Sequence, residues 1–130
     1  ALFLLRLEAP PQTQTRAADQ DMRLVAAVAA LAEAGRPGDP VALLGESEFA
    51  LVMPDPGPAE HVLGVAWRAL NLLRENWQDA DREAPRGHVG IAYAPRDGVT
   101  LDALLVSLDR RLAEAFKAGV RVMGPDRLGG

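Results

Sequence analysis

Two apolar runs, Val41–Leu44 and Phe49–Met53, stand four residues apart in "VALLGESEFALVMP", and no other feature narrows the fold as much. Strand-length runs joined by the short polar segment Gly45-Glu46-Ser47-Glu48 predict a β-hairpin. A hairpin makes at least part of the sheet antiparallel. The segments on either side have a helical period. From about Thr15 to Ala34, the positions Leu24, Val28, Leu31 and Gly35 fall on one helical face, and Gly35 with Pro37 stops the helix. From about Pro58 to Gln78, Leu63, Ala66, Leu70, Leu73 and Trp77 mark a second face, with Pro58 suited to a first turn.

The remaining segments complete an alternating order. Leu2–Leu7 reads as a buried strand ended by Pro10-Pro11. Asp79–Arg86 is a polar loop, and Gly87–Ala94 a strand with Val89 and Ile91 on one face. Pro95-Arg96-Asp97-Gly98 is a turn, and Thr100 a good N-cap. Leu101, Leu104, Leu105, Leu108, Leu112 and Ala115 form the stripe of a last helix, ended by Gly119, with a short strand over Val120–Met123. The order β-α-β-β-α-β-α-β predicts an α+β fold, a mostly antiparallel five-stranded sheet with helices mostly on one face.

Composition removes several functions. At 130 residues the chain suits one domain, expected over 1–124 with a tail at 125–130. It lacks cysteine and has only two histidines, His61 and His88, which argues against thiolate or His-rich metal sites. A net charge of −4 opposes non-specific nucleic-acid binding. No apolar run approaches the roughly 20 residues that span a bilayer. No basic segment precedes Leu2–Leu5, so a cytoplasmic setting without membrane contact is expected. The chain opens almost directly on a strand, as expected of a domain excised from a longer multidomain protein.

Taken alone, Glu46 and Glu48 suggest an acid–base pair, but no nucleophile accompanies them, and a solvated turn explains them as well. Trp67 and Trp77 lie at helical spacing and suit packing more than a ligand platform. His88 suits a strand face or edge more than a catalytic base.

The hairpin also resembles the signature of the GGDEF family of diguanylate cyclases. "RPGDPVALLGESEFALVMP" resembles its R-x-x-D segment followed by the G-G-[DE]-E-F hairpin. "VGIAYAPRDGVTLDALL", "SLDRRLAEAFKAG" and "LVAAVAALAEAGR" resemble the closing strand and turn, the last helix and the helix before R-x-x-D. The resemblance covers nearly the whole chain and implies a nucleotide-cyclase-like fold with a ferredoxin-like core. In active members, two GTP-loaded domains join their substrates into cyclic di-GMP, using carboxylate-held divalent metal and a glycine turn that lets backbone approach phosphate.

This chain departs from that pattern. Gly45 is kept, Glu46 replaces the second glycine, Ser47 the metal-binding acid, and Glu48 and Phe49 remain. Arg6 falls where the first strand has a metal aspartate, and Phe116 where the last helix has its phosphate lysine, with Lys117 one position late. The guanine-recognition elements have no clear match, and Asp21 aligns only loosely with one of their aspartates. The expectation is a degenerate, catalytically inactive domain with no cofactor and no metal.

Arg36 and Asp39 match the family's R-x-x-D inhibitory site, with Arg68 as a further arginine and Arg74 a poorer one. The resemblance thereby implies a cyclic di-GMP receptor. Arg36-Pro37-Gly38-Asp39 is equally a natural type II turn, and Arg16-Ala17-Ala18-Asp19 matches the same pattern inside a helix. The alternatives are a dimerisation or partner-interaction module without nucleotide, and, further off, a GTP-binding regulator or an active cyclase. Neighbouring domains or a protein partner, and a homodimer, are compatible with each.

Overall fold

The computed structural model describes residues 1–8, 17–77 and 84–124, with backbone alone for 17–20. The predicted helix start at Thr15, the Pro10-Pro11 break, most of the 79–86 loop and the 125–130 tail lie outside the described residues.

The elements follow the predicted order: β1 (Leu2–Leu7), α1 (Ala17–Ala34), β2 (Val41–Leu43), β3 (Glu48–Val52), α2 (Ala59–Glu75), β4 (Gly87–Ala92), α3 (Leu101–Ala118) and β5 (Val122–Met123). They form one five-stranded sheet in the order β2-β3-β1-β4-β5. Its pairings are antiparallel except β4 with β5, which is parallel. β1 therefore lies at the centre with partners on both edges, as its unbroken apolar run requires.

Strand alternation assigns the faces. Phe3, Leu5 and Leu7 of β1 join Phe49, Leu51, Val89 and Ile91 against α1 and α2 in the larger core. Leu2 and Leu4 join Ala50 and Ala92 against Leu108 and Leu112 of α3 in a smaller one. Helices thus cover both faces, two on one and one on the other, because β1 is apolar at every position from Leu2 to Leu5 and needs cover on each side. A fully buried Phe such as Phe49 contributes about 1.5–3 kcal/mol by leaving water.

All three helical faces differ in part from the predicted stripes. On α1 the buried residues are Ala26, Ala27, Ala30, Leu31 and Ala34, while Leu24 and Val28 sit at the margin. Small alanines make up most of the buried face, so of the predicted stripe only Leu31 lies fully inside it. On α3, Leu101 is 60% exposed, and burial begins further along the helix, at Ser107 and Leu108. α2 buries Val62, Val65, Ala66, Ala69, Leu70, Leu72 and Leu73, a wider stripe than predicted.

α3 is fixed at its start and along its length. Thr100 Oγ1 accepts from the Ala103 N–H at 3.1 Å, the predicted cap. A Cβ on Gly90 would meet Leu112 Cγ at 3.2 Å, so glycine there permits the close approach of α3 to β4. Arg111 donates to the Ile91 carbonyl at 2.8 Å and to Asp97 Oδ1 at 2.6 Å, and Asp97 Oδ2 accepts from the Tyr93 N–H at 2.7 Å. Arg111 and Asp97 are 12% and 8% exposed, so they tie the turn after β4 to α3 away from bulk water.

Burial pushes the Asp97 carboxyl up, but the hydrogen bonds from Arg111 and Tyr93 and the nearby arginine charges outweigh it and hold the pKa below its ordinary 3.8. As pH falls, the unfolded chain takes up this proton first. The contribution is therefore complete above that ordinary value and is lost as pH drops through the depressed one. Urea unfolding should show Asp97→Asn less stable by about 1–3 kcal/mol at neutral pH, with the difference shrinking in acid. Equal stability at neutral pH would remove the tie from this account.

Candidate functional site

The central strand delivers a cation to the hairpin. β1 and β3 pair with Arg6 opposite Glu48, and β1 and β4 with Arg6 opposite His88. Arg6 projects on the α3 side of the sheet. Its Nη2 donates to Glu48 Oε1 at 3.3 Å and to Asp109 Oδ1, on α3, at 2.6 Å. Arg6, Glu48 and Asp109 are 32%, 40% and 72% exposed, so water screens these pairs and each is worth little in stability. Their effect is on local charge, since one guanidinium stands between two carboxylates.

The turn itself is open. The Leu44 N–H donates to the Glu48 carbonyl at 2.9 Å and closes the hairpin, while β2 itself ends at Leu43, one residue before the predicted end. Ser47 is tied through its backbone, its carbonyl accepting from the Leu7 N–H at 2.9 Å. Gly45 and Glu46 are exposed, and Phe49 is fully buried in the larger core. Thus Gly45, Glu46 and Ser47 occupy the rim, Glu48 faces Arg6, and Phe49 is a packing residue. Among the described residues, no group of three or more acidic, histidine or cysteine side chains is arranged to hold a metal ion. A divalent cation fits poorly where the Arg6 guanidinium is already within hydrogen-bond distance of both acids.

Arg36 and Asp39 are brought together. The Asp39 N–H donates to the Arg36 carbonyl at 3.0 Å and Gly38 has φ 89°, the type II turn read from the sequence. Asp39 Oδ2 accepts from the Arg36 backbone N–H at 2.9 Å and from its Nε at 3.3 Å. The Arg36 guanidinium also donates to the carbonyls of Pro54 and Asp55, so it ties the turn before β2 to the loop after β3. Arg68 is exposed on α2, and no hydrogen bond or ion pair joins it to Arg36 or Asp39.

His88 is buried at 7% exposure rather than at an edge. Its Nδ1 lies 3.0 Å from the Val120 carbonyl and its Nε2 2.9 Å from Glu8 Oε2. A carbonyl only accepts, so Nδ1 carries a proton. The Glu8 carbonyl accepts from Arg23 Nη2 at 2.6 Å, and burial lowers the Arg23 pKa. The two side chains hold the end of β1 against β4 and α1. Arg23, Asp109 as a partner of Arg6, and the Asp97–Arg111 pair have no local sequence signal, because their partners lie 15, 103 and 14 residues away in the chain. Phe116 is 63% exposed, with its ring 5.4 Å from that of His88, and Lys117 is exposed. Trp67 is 39% exposed, more open than a packing residue would be.

A family model for the diguanylate cyclase GGDEF domain matches residues 17–121. The structure is similar to an EAL/GGDEF domain protein from M. capsulatus, at 24% identity and a TM-score of 0.75, covering 95% of this chain and 85% of that one. It is similar to a sensory box/GGDEF family protein from Caulobacter crescentus, at 22% identity and 0.73, covering 91% and 78%. It is also similar to the GGDEF domain of a Pseudomonas aeruginosa protein, at 21% identity and 0.73, covering 93% and 81%. These likenesses concern the fold. No curated protein matches the sequence significantly.

The Arg6 cluster makes a measurable prediction. A double-mutant cycle with Arg6→Ala and Asp109→Ala should give a coupling of about 0.2–1 kcal/mol in denaturant unfolding, reduced by added salt. A coupling that salt leaves untouched would contradict the exposed geometry.

Proposed function

This chain belongs to the GGDEF, diguanylate cyclase, family, and from that membership we propose that it is a signalling domain that binds without catalysing. The observation that carries the proposal is Arg6, whose guanidinium lies between Glu48 and Asp109 where the family resemblance puts a metal aspartate. Three further replacements support it. Glu46 adds charge at the turn where phosphate would approach, and Ser47 lacks the charge of a hard-cation ligand. Phe116 replaces the phosphate lysine and offers no charge.

Incubation with GTP and magnesium or manganese should yield no cyclic di-GMP. Product above a no-protein control would overturn the proposal.

A second reading concerns what the domain binds. The pairing of Arg36 with Asp39 favours a cyclic di-GMP receptor, since aspartate orients a guanidinium for stacking or for phosphate oxygens. Binding through this arginine competes with its bonds to the Pro54 and Asp55 carbonyls, so the affinity is expected to be modest. Arg68 is the further contact in this reading. Calorimetric titration should give a heat of binding that Arg36→Ala abolishes. No heat with the unaltered domain favours the partner-interaction module instead. Two structural relatives carry names that join GGDEF to an EAL domain or a sensory box, which supports neighbouring domains and a bacterial signalling role for this chain as well. No helix among the described residues is long and apolar enough to cross a membrane. A cytoplasmic setting is part of the proposal.

A further inference from the structure

Seven of the described arginines fall into two contrasting groups. Arg6, Arg23, Arg36 and Arg111 each donate to a named carboxylate or carbonyl, and each holds two parts of the fold together. Arg74, Arg86 and Arg121 do not. They line one cleft of about 330 Å³ between the C-terminal half of α2, the approach to β4 and the approach to β5. Among the described residues, none of these three guanidinium groups has a carboxylate or carbonyl partner, and no acidic residue lines the cleft. The chain as a whole carries a net charge of −4, so this concentration of positive charge runs against its average.

The remaining walls are equally specific. Trp67 and Asn71, one helical turn apart on α2, line the same cleft, and Leu70 and Leu73 form part of its lining as well. Trp67 is 39% exposed, and its ring offers a flat apolar wall. The Asn71 amide both donates and accepts. The cleft lies at the lower end of the size range of small-ligand sites.

We propose that this cleft binds a small phosphorylated ligand, its phosphate held by Arg74, Arg86 and Arg121 and a planar ring, where the ligand has one, resting on Trp67. Guanidinium groups present forked donors that match phosphate oxygens, and an anion relieves the repulsion among three like charges in a concave site. A structural role would leave the arginines bonded to protein acceptors, as in the other group. A merely solvated arginine would stand on an open face, as Arg110 does on α3. The cleft shares no lining residue with the Arg6 cluster or with the Arg36–Asp39 turn, so its test is independent of the proposed function.

The test is calorimetric titration of the whole chain at low salt with inorganic phosphate, pyrophosphate and a purine nucleoside monophosphate in turn. At least one should bind, with affinity falling as salt rises. Arg86→Gln and, separately, Arg74→Gln should each weaken that binding by about tenfold or more, with circular dichroism unchanged, while Arg110→Gln should not. Trp67→Ala should weaken the nucleoside monophosphate and leave pyrophosphate unchanged if a ring is part of the ligand. A free-phosphate site would show no such difference. No binding of any probe at millimolar concentration, or equal binding by the arginine variants, would overturn the proposal.

Discussion

The backbone ladder that holds β1 between β3 and β4 decides what the rest of this molecule can be. A central strand is buried on both faces, so its residues alternate between two cores. Phe3, Leu5 and Leu7 face α1 and α2, while Leu2 and Leu4 face α3. Arg6 continues the second set, and the same register puts it opposite Glu48 and under Asp109. A slip of one residue would exchange the two faces and drive the charge into the larger core. The register that builds the cores therefore also composes the charge cluster beside the hairpin.

Charge in this protein is used in separate ways at separate depths. Asp97 and Arg111 are nearly buried, and their hydrogen bonds fix α3 on β4. Arg36 is half exposed and clamps two loops through carbonyls, with Asp39 steadying it. Arg6 lies near water, where its pairs add little stability but set the local field of the hairpin. Arg74, Arg86 and Arg121 share a cleft that, among the described residues, no acidic residue lines. Depth and partner, rather than residue type, separate the structural arginines from those available to a ligand.

Much of the fold was legible because local chemistry agrees with the final structure. Thr100 caps α3, Gly119 ends it, Gly38 makes the turn after Arg36, and every predicted element exists within a few residues. The buried face of α1 was legible at Leu31 but not at Leu24 and Val28, which sit at its margin while Ala26, Ala27, Ala30 and Ala34 fill it, since hydrophobic size is a poor guide where small residues are buried. Leu101 fits the apolar period of α3 yet is exposed. At the hairpin, Gly45, Glu46 and Ser47 were legible as a turn and Phe49 as apolar, whereas the partnership of Arg6 with Asp109 spans the chain and leaves no local pattern.

The sequence by itself determined the element order, the hairpin, the caps and turns, and the resemblance on which family membership rests, because each of these depends on neighbours within a few residues. Tertiary structure alone decided which face each helix covers, where Arg6 finds its carboxylates, how His88 is buried between Glu8 and Val120, and that Arg74, Arg86 and Arg121 share one cleft. Those outcomes depend on the pairing of distant strands and on the packing of helices against them. No short-range propensity encodes a contact between residues brought together only by the closed sheet.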